Sequence, residues 1–260
     1  MSDEFHDAAT SHKTRRSALQ SLLGATATSL SLLVPGAAVQ ASGVTGDPML
    51  AESSDELREH LQRCLGGPWP DFGPLQDRVE RTEQLDGFQR HYLSYQVEPT
   101  ERIGAWLLIP DGASANSPAP GICVWHQHAG QYDVGKDEPA GVRSPNFGEM
   151  HMTGAALARE GYVVLCPDAA GFGERNRSPN REVRTLQGRD LEHYLFGLQV
   201  VAGRCLAWKN ISDMRRAVSL LAARPEVRAE RLGCYGHSRS EEHTSELQSH
   251  HDLVCRLLLE

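Results

Sequence analysis

Gly236-His237-Ser238 stands directly behind an apolar run, Leu232-Gly233-Cys234-Tyr235. A serine hydroxyl becomes a useful nucleophile when a base can take its proton and the backbone lifts its oxygen clear of its neighbours. A strand that ends in Gly-x-Ser meets the second need, because glycine lets the chain turn sharply into a following helix. Ser238 is therefore the candidate nucleophile. Three residues recur by chance, so the motif takes its weight from its position behind a strand. The longer pattern, Gly-x-Ser-x-Gly, is met only in its first half, since Arg239 and Ser240 occupy the last two places.

A second group, Trp125-His126-Gln127-His128-Ala129-Gly130, ends an earlier apolar run. Main-chain N–H groups in such a loop can face the negative oxygen of a tetrahedral intermediate, and one donor of this kind is worth about a hundred- to a thousandfold in rate. Gln127 and His128 are the candidate donors. His126 and His128 also spell His-x-His, which could hold a metal. Catalytic zinc takes three protein ligands, and the residues that follow, Ala129-Gly130-Gln131-Tyr132-Asp133, offer no third spacing. No metal and no cofactor are expected. Asp168, within Pro167-Asp168-Ala169-Ala170-Gly171-Phe172-Gly173, reads as a structural turn residue, and Trp106 and Trp125 read as packing residues. Arg175, Arg177 and Arg181 beyond it read as a solvated loop rather than a site for an acidic substrate.

These groups need a scaffold that brings loop ends together. Leu57, Leu61, Cys64 and Leu65 share one face of a short helix over 55–64, stopped by Gly66-Gly67-Pro68. Segments 78–83, 89–97 and 102–109 read as extended and antiparallel, with Pro110-Asp111-Gly112 closing the last as a turn. The pattern then alternates. Apolar runs at 121–125, 162–166 and 232–235 are separated by helical spacing over 151–160 and at Ile211, Met214, Val218 and Leu221. Continuous apolar strands divided by helices are what a parallel sheet covered on both faces requires. The fold class is α/β.

The bulk properties limit the partners. The chain has 260 residues and a net charge of −8. It has no basic cluster, so a nucleic-acid partner is not expected. Cys64, Cys123, Cys166, Cys205 and Cys234 form no Cys-x-x-Cys, and three of them fall inside apolar runs, as small buried side chains do.

At the front, Thr14-Arg15-Arg16-Ser17-Ala18-Leu19 precedes an uncharged stretch of apolar and small residues over 18–34, and Val39-Gln40-Ala41 offers small residues for cleavage. This is the pattern of a secretory signal. The paired arginines resemble a twin-arginine signal, from which Ala18 and Gln20 depart. The apolar stretch is short and rich in Ser, Thr and Gly, so no stable membrane span is expected once the signal is removed. Residues 1–41 are thus expected to direct export to the periplasm or outside a bacterial cell, with 42–74 a linker and N-terminal helix.

Residues 239–249 are similar to the in-frame translation of a common short-read sequencing adapter, and 253–260 to its continuation after a barcode-sized gap. The segment 239–260 is therefore expected to be a non-native tail. His243, His250 and His251 within it are not counted as ligands or bases.

Together these segments resemble the α/β-hydrolase superfamily, most closely its dienelactone-hydrolase and acetyl-xylan-esterase-like branch. The likeness runs from about Arg102 to Ser238. It is carried by 135–141 (GKDEPAG), by 159–168 (REGYVVLCPD), and by Arg224-Pro225-Glu226-Val227 ahead of 231–238 (RLGCYGHS). The resemblance implies that 75–238 is the N-terminal part of an α/β-hydrolase domain, with ester hydrolysis by a Ser–His–Asp triad on a small-molecule substrate. In chain order the acid and the histidine follow the serine, so both are expected beyond Ser238. A serine peptidase on the same fold is the alternative. The 260-residue chain itself is expected to be an inactive, truncated product.

Overall fold

A computed structural model describes residues 54–142, 150–178, 180 and 183–236. The expected signal, most of the linker, Ser238 and the 239–260 tail lie outside the described residues.

Six strands form one sheet: β1 Arg78–Leu85, β2 Phe88–Glu98, β3 Glu101–Pro110, β4 Ala119–Trp125, β5 Val163–Pro167 and β6 Val227–Gly236. Their order is β1-β2-β3-β5-β4-β6. The pairs from β1 through β3 to β5 are antiparallel, and β5, β4 and β6 are parallel. The antiparallel opening and the parallel centre both follow the sequence reading.

Period-two alternation divides the side chains between two cores. Ile103, Ala105, Leu107, Cys123, Trp125 and Leu165 point to one face. Trp106, Leu108, Val124, Val164 and Cys166 point to the other. The helix α2, Thr153–Arg159, covers the second core with Ala155 and Ala158. The helix α4, Leu206–Ala222, covers the first with Ala217, Val218, Leu220 and Leu221. At about 25 cal/mol per Å² of apolar surface, burial on both faces is the main stabilising term for such a sheet.

The N-terminal helix α1, Ser54–Leu65, ends at Gly66 (φ 125°). A Cβ there would collide with the backbone of Arg204, so the close approach demands glycine. The next residues are strapped to α4 by reciprocal indole bonds. Trp69 Nε1 donates to Trp208 O at 2.9 Å, and Trp208 Nε1 donates to Gly67 O at 2.8 Å. Cys64, expected on the packed face of α1, is exposed, because this strap and not a continuous apolar stripe docks the segment. Helix α3, Gly188–Val201, has no counterpart in the sequence reading. Strand β6 is less buried than its apolar run suggests, with Tyr235 37% exposed, because among the described residues it pairs on one side only.

The connection from β4 runs through α2 to β5 on one side, and the connection from β5 runs through α3 and α4 back to β6 on the other. The chain therefore reverses direction around β4. In open α/β sheets ligands bind outside the carboxyl ends of strands at such a switch point.

Candidate active site

At that edge Trp125, the last residue of β4, is register partner to Gly236, the last of β6. Parallel neighbours lie about 4.8 Å apart, so Trp125, just before the His126 loop, and Gly236 end their strands side by side. Ser238 stands two residues further on, outside the described residues.

The loop after β4 is tightly specified. Ala129 (φ 42°) and Gly130 (φ 70°) are both left-handed. For the alanine this costs about 1–2 kcal/mol, so the surrounding contacts must hold it. Part of that hold comes from His128, whose Nδ1 accepts the Gly130 N–H at 3.0 Å. Its Nε2 therefore carries the proton and donates to Glu192 Oε2 at 3.3 Å. Tyr132 OH donates to the same oxygen at 2.9 Å.

His126 is buried and turns inward. Nδ1 donates to the Gln127 carbonyl at 2.9 Å, and Nε2 accepts the Ala169 N–H at 3.1 Å. Only the neutral Nδ1–H tautomer makes both bonds. Burial lowers its pKa, against the pull of nearby Asp168. The two histidines thus face different partners, and neither has a bare ring nitrogen for a serine proton or a metal. Among the described residues no three His, Cys, Asp or Glu converge on a metal position. Gln127 is buried with His126.

Asp168 is fully structural, as the turn reading holds. Its carboxylate accepts Lys136 N–H at 2.8 Å and Glu174 N–H at 3.2 Å, and pairs with Lys136 Nζ at 2.7 Å. Gly135 and Gly173, both left-handed, precede those amides, and a Cβ on either would overlap the carboxylate. Burial opposes the Lys136 charge, yet Asp168 holds its pKa above the ordinary lysine range.

Arg175 departs from the solvated-loop reading. Its side chain is only 10% exposed and meets Glu101 at 2.7 Å and Asp213 at 2.9 Å. Lys209 joins the same cluster, at 2.8 Å from Glu98, 2.7 Å from Glu101 and 2.8 Å from Asp213. Five charges from β2, β3, the loop after β5, and α4 so lock the floor of the site. Burial works against the Glu101 carboxylate, but Arg175 and Lys209 outweigh it and hold its pKa at about 2. Arg177 is exposed, and Arg181 lies outside the described residues.

Between these groups lies a cavity of about 80 Å³. Ile103, Trp125, Phe172, Leu206 and Met214 give it a mainly apolar wall, and His126 and His128 stand at its edge. Trp125 and Trp106 are buried packing residues, as their sequence context indicates.

No family model matches the chain. Over 187 residues it is 27% identical to YtaP of Bacillus subtilis (strain 168), provisionally assigned as a hydrolase, covering 70% of this chain and 56% of that protein. A Bacteroides fragilis NCTC 9343 protein provisionally assigned as an acetyl xylan esterase superimposes with a TM-score of 0.59 at 18% identity, over 75% of this chain and 49% of that one. Acetyl xylan esterase 1 of Thermoanaerobacterium sp. JW/SL YS485 gives 0.45 at 17% identity, over 73% and 51%. The chain spans about half the length of the relatives it matches. The fold is the α/β-hydrolase fold.

Proposed function

We propose that the intact protein is an exported serine hydrolase acting on carboxylic esters of the acetyl-ester or lactone type. The observation that carries this reading is the pairing of Trp125 with Gly236. It sets Gly236, the first residue of Gly-x-Ser in the sequence, at the same end of the sheet as the start of the His126–Gly130 loop, beside an apolar cavity. In this reading Ser238 Oγ attacks the ester carbonyl carbon while a histidine takes its proton and an acid orients that histidine. The carbonyl oxygen becomes an oxyanion and accepts the main-chain N–H of Gln127 or His128. Collapse expels the alcohol with that proton, and water then releases the acid from the acyl-enzyme. The base and the acid belong outside the described residues, because both nearby histidines already use both ring nitrogens. A cavity of about 80 Å³ suits a short acyl group, being about half the volume of an engineered cavity that holds benzene. No cofactor enters this chemistry.

Export rests on the paired arginines and the apolar stretch ahead of residue 41, and among the described residues no helix is long and apolar enough to cross a membrane. The test uses the protein translated from genomic DNA read through the Ser238 codon. Hydrolysis of p-nitrophenyl acetate, labelling of Ser238 by a fluorophosphonate, and loss of both in Ser238→Ala are the expected results. Turnover of p-nitroanilides over p-nitrophenyl esters would favour the peptidase alternative. Absence of labelling would sink the serine mechanism.

A further inference from the structure

We propose that His126 is a positioning residue that aims the oxyanion-binding peptide, an inference that rests on the esterase reading above. The imidazole sits between two chain segments. Its Nδ1–H holds the Gln127 carbonyl at 2.9 Å, and its Nε2 is anchored by the Ala169 N–H at the carboxyl end of β5, at 3.1 Å. In a planar trans peptide the carbonyl and the following N–H point in opposite directions. Fixing the Gln127 carbonyl therefore fixes the His128 N–H, which is sent the other way. The far side of the same segment is held as well. The His128 carbonyl accepts Gln131 N–H at 2.8 Å, and His128 Nδ1 accepts Gly130 N–H at 3.0 Å.

Such a device must be rigid and must not change charge. Phe172 packs on the His126 ring at 5.0 Å between centroids, and the ring is buried. Asp168 and Lys136, two charges that act on the ring, neutralise one another at 2.7 Å. Glu138 is occupied by the N–H groups of His151 at 2.7 Å and Met152 at 3.3 Å. Protonating His126 would remove the acceptor at Nε2 and the anchor to Ala169, so only the neutral form keeps both bonds.

The geometry separates two substitutions. Gln has the reach to keep an acceptor opposite Ala169 N–H but gives up the short-range donor to the Gln127 carbonyl. Asn keeps that donor and gives up Ala169. In the full-length protein His126→Gln is expected to lower kcat for p-nitrophenyl acetate about 10- to 100-fold, with KM within about threefold of wild type. His126→Asn, which keeps the donor, is expected to lose clearly less kcat than His126→Gln, by about threefold or more, while lowering the urea midpoint. Equal kcat losses in both variants, or none in His126→Gln, would overturn the inference and leave the esterase reading intact. A wild-type protein with neither turnover nor fluorophosphonate labelling overturns both. If a variant does not fold, long-range ¹H–¹⁵N spectra of the wild type decide at neutral pH. A protonated Nδ1 with an unprotonated Nε2 upholds the inference, and the opposite tautomer or an imidazolium overturns it.

Discussion

Removing Asp168 is the perturbation whose cost can be worked most closely from the structure. Its side chain is 0% exposed and lies 2.7 Å from Lys136 Nζ, which is 2% exposed. Breaking one side of a buried pair costs about 3–5 kcal/mol, because the survivor is left charged and dry. Glu174, 3.3 Å from the same ammonium but 54% exposed, recovers only part of this. The amides of Lys136 and Glu174 also lose their acceptor, at about 1–3 kcal/mol for each that stays dry. Asp168→Ala should therefore cost about 4–6 kcal/mol. Lys136→Met leaves the carboxylate with its two amide donors and should cost about 2–3 kcal/mol. In the double variant no orphan charge remains, so its cost should fall short of the two single costs combined by about 2–3 kcal/mol. Urea unfolding of the full-length protein at pH 7, followed by tryptophan fluorescence, measures this coupling. Additivity within about 0.5 kcal/mol would refute the claim that the two charges sustain one another. Asp168→Asn, which keeps an acceptor oxygen for the amides, serves the same cycle if the alanine variant is too unstable.

Two further predictions come from the floor of the site. Glu101 has a folded pKa of about 2, below its unfolded value, so its contribution is present above about pH 4.3 and is lost as pH falls through about 2. The side chain is 35% exposed, so solvent screening reduces the contribution to about 1–2 kcal/mol. Glu101→Gln should flatten the stability slope between those limits, as read by urea midpoints, and an unchanged slope would count against the cluster's role. Met214 lines the cavity wall, and Met214→Ala should raise the ratio of p-nitrophenyl butyrate to acetate kcat/KM about tenfold, the worth of one to two methylenes. A ratio that does not move would mean that the acyl group binds elsewhere.

The sheet was legible because its signal is local. Ile103, Ala105 and Leu107 alternate within five residues, and 121–125 and 162–166 run apolar throughout, so period and length suffice to mark strands. The charge cluster was not legible. Glu98, Glu101, Arg175, Lys209 and Asp213 come from segments up to 115 residues apart, and none of them stands in a pattern that marks it as buried. Arg175 in particular shares its surroundings with Arg177, which is exposed, and only the fold separates them. Helix α3 escaped for another reason. Leu195, Phe196, Leu198, Val200 and Val201 are apolar around most of the helix, so no single face stands out, and Phe196, Val200 and Val201 indeed remain exposed. The His-x-His spacing likewise says nothing of the rings' partners: one ring is anchored to Ala169 and the other to Glu192.

That asymmetry bears on where the proton chemistry resides. Each titratable side chain around the cavity is already committed within the described residues: His126 to two backbone groups, His128 to Gly130 and Glu192, Asp168 to Lys136, and Asp213 to Arg175 and Lys209. A general base needs a nitrogen within reach of the serine proton, and a triad acid must hold the other nitrogen of that ring. In the His128–Glu192 pair the carboxylate holds Nε2 and a backbone amide occupies Nδ1, which leaves the ring no route to a serine. Glu192→Gln tests this directly. Its amide oxygen still accepts from Tyr132 and His128, so the loop should keep its shape and kcat/KM should change less than about threefold. The pKa governing the acid limb of the kcat/KM profile should stay where it is in the wild type. If Glu192→Gln shifts or abolishes that limb, His128 is the base after all, and the expectation that the triad acid and histidine lie beyond Ser238 fails.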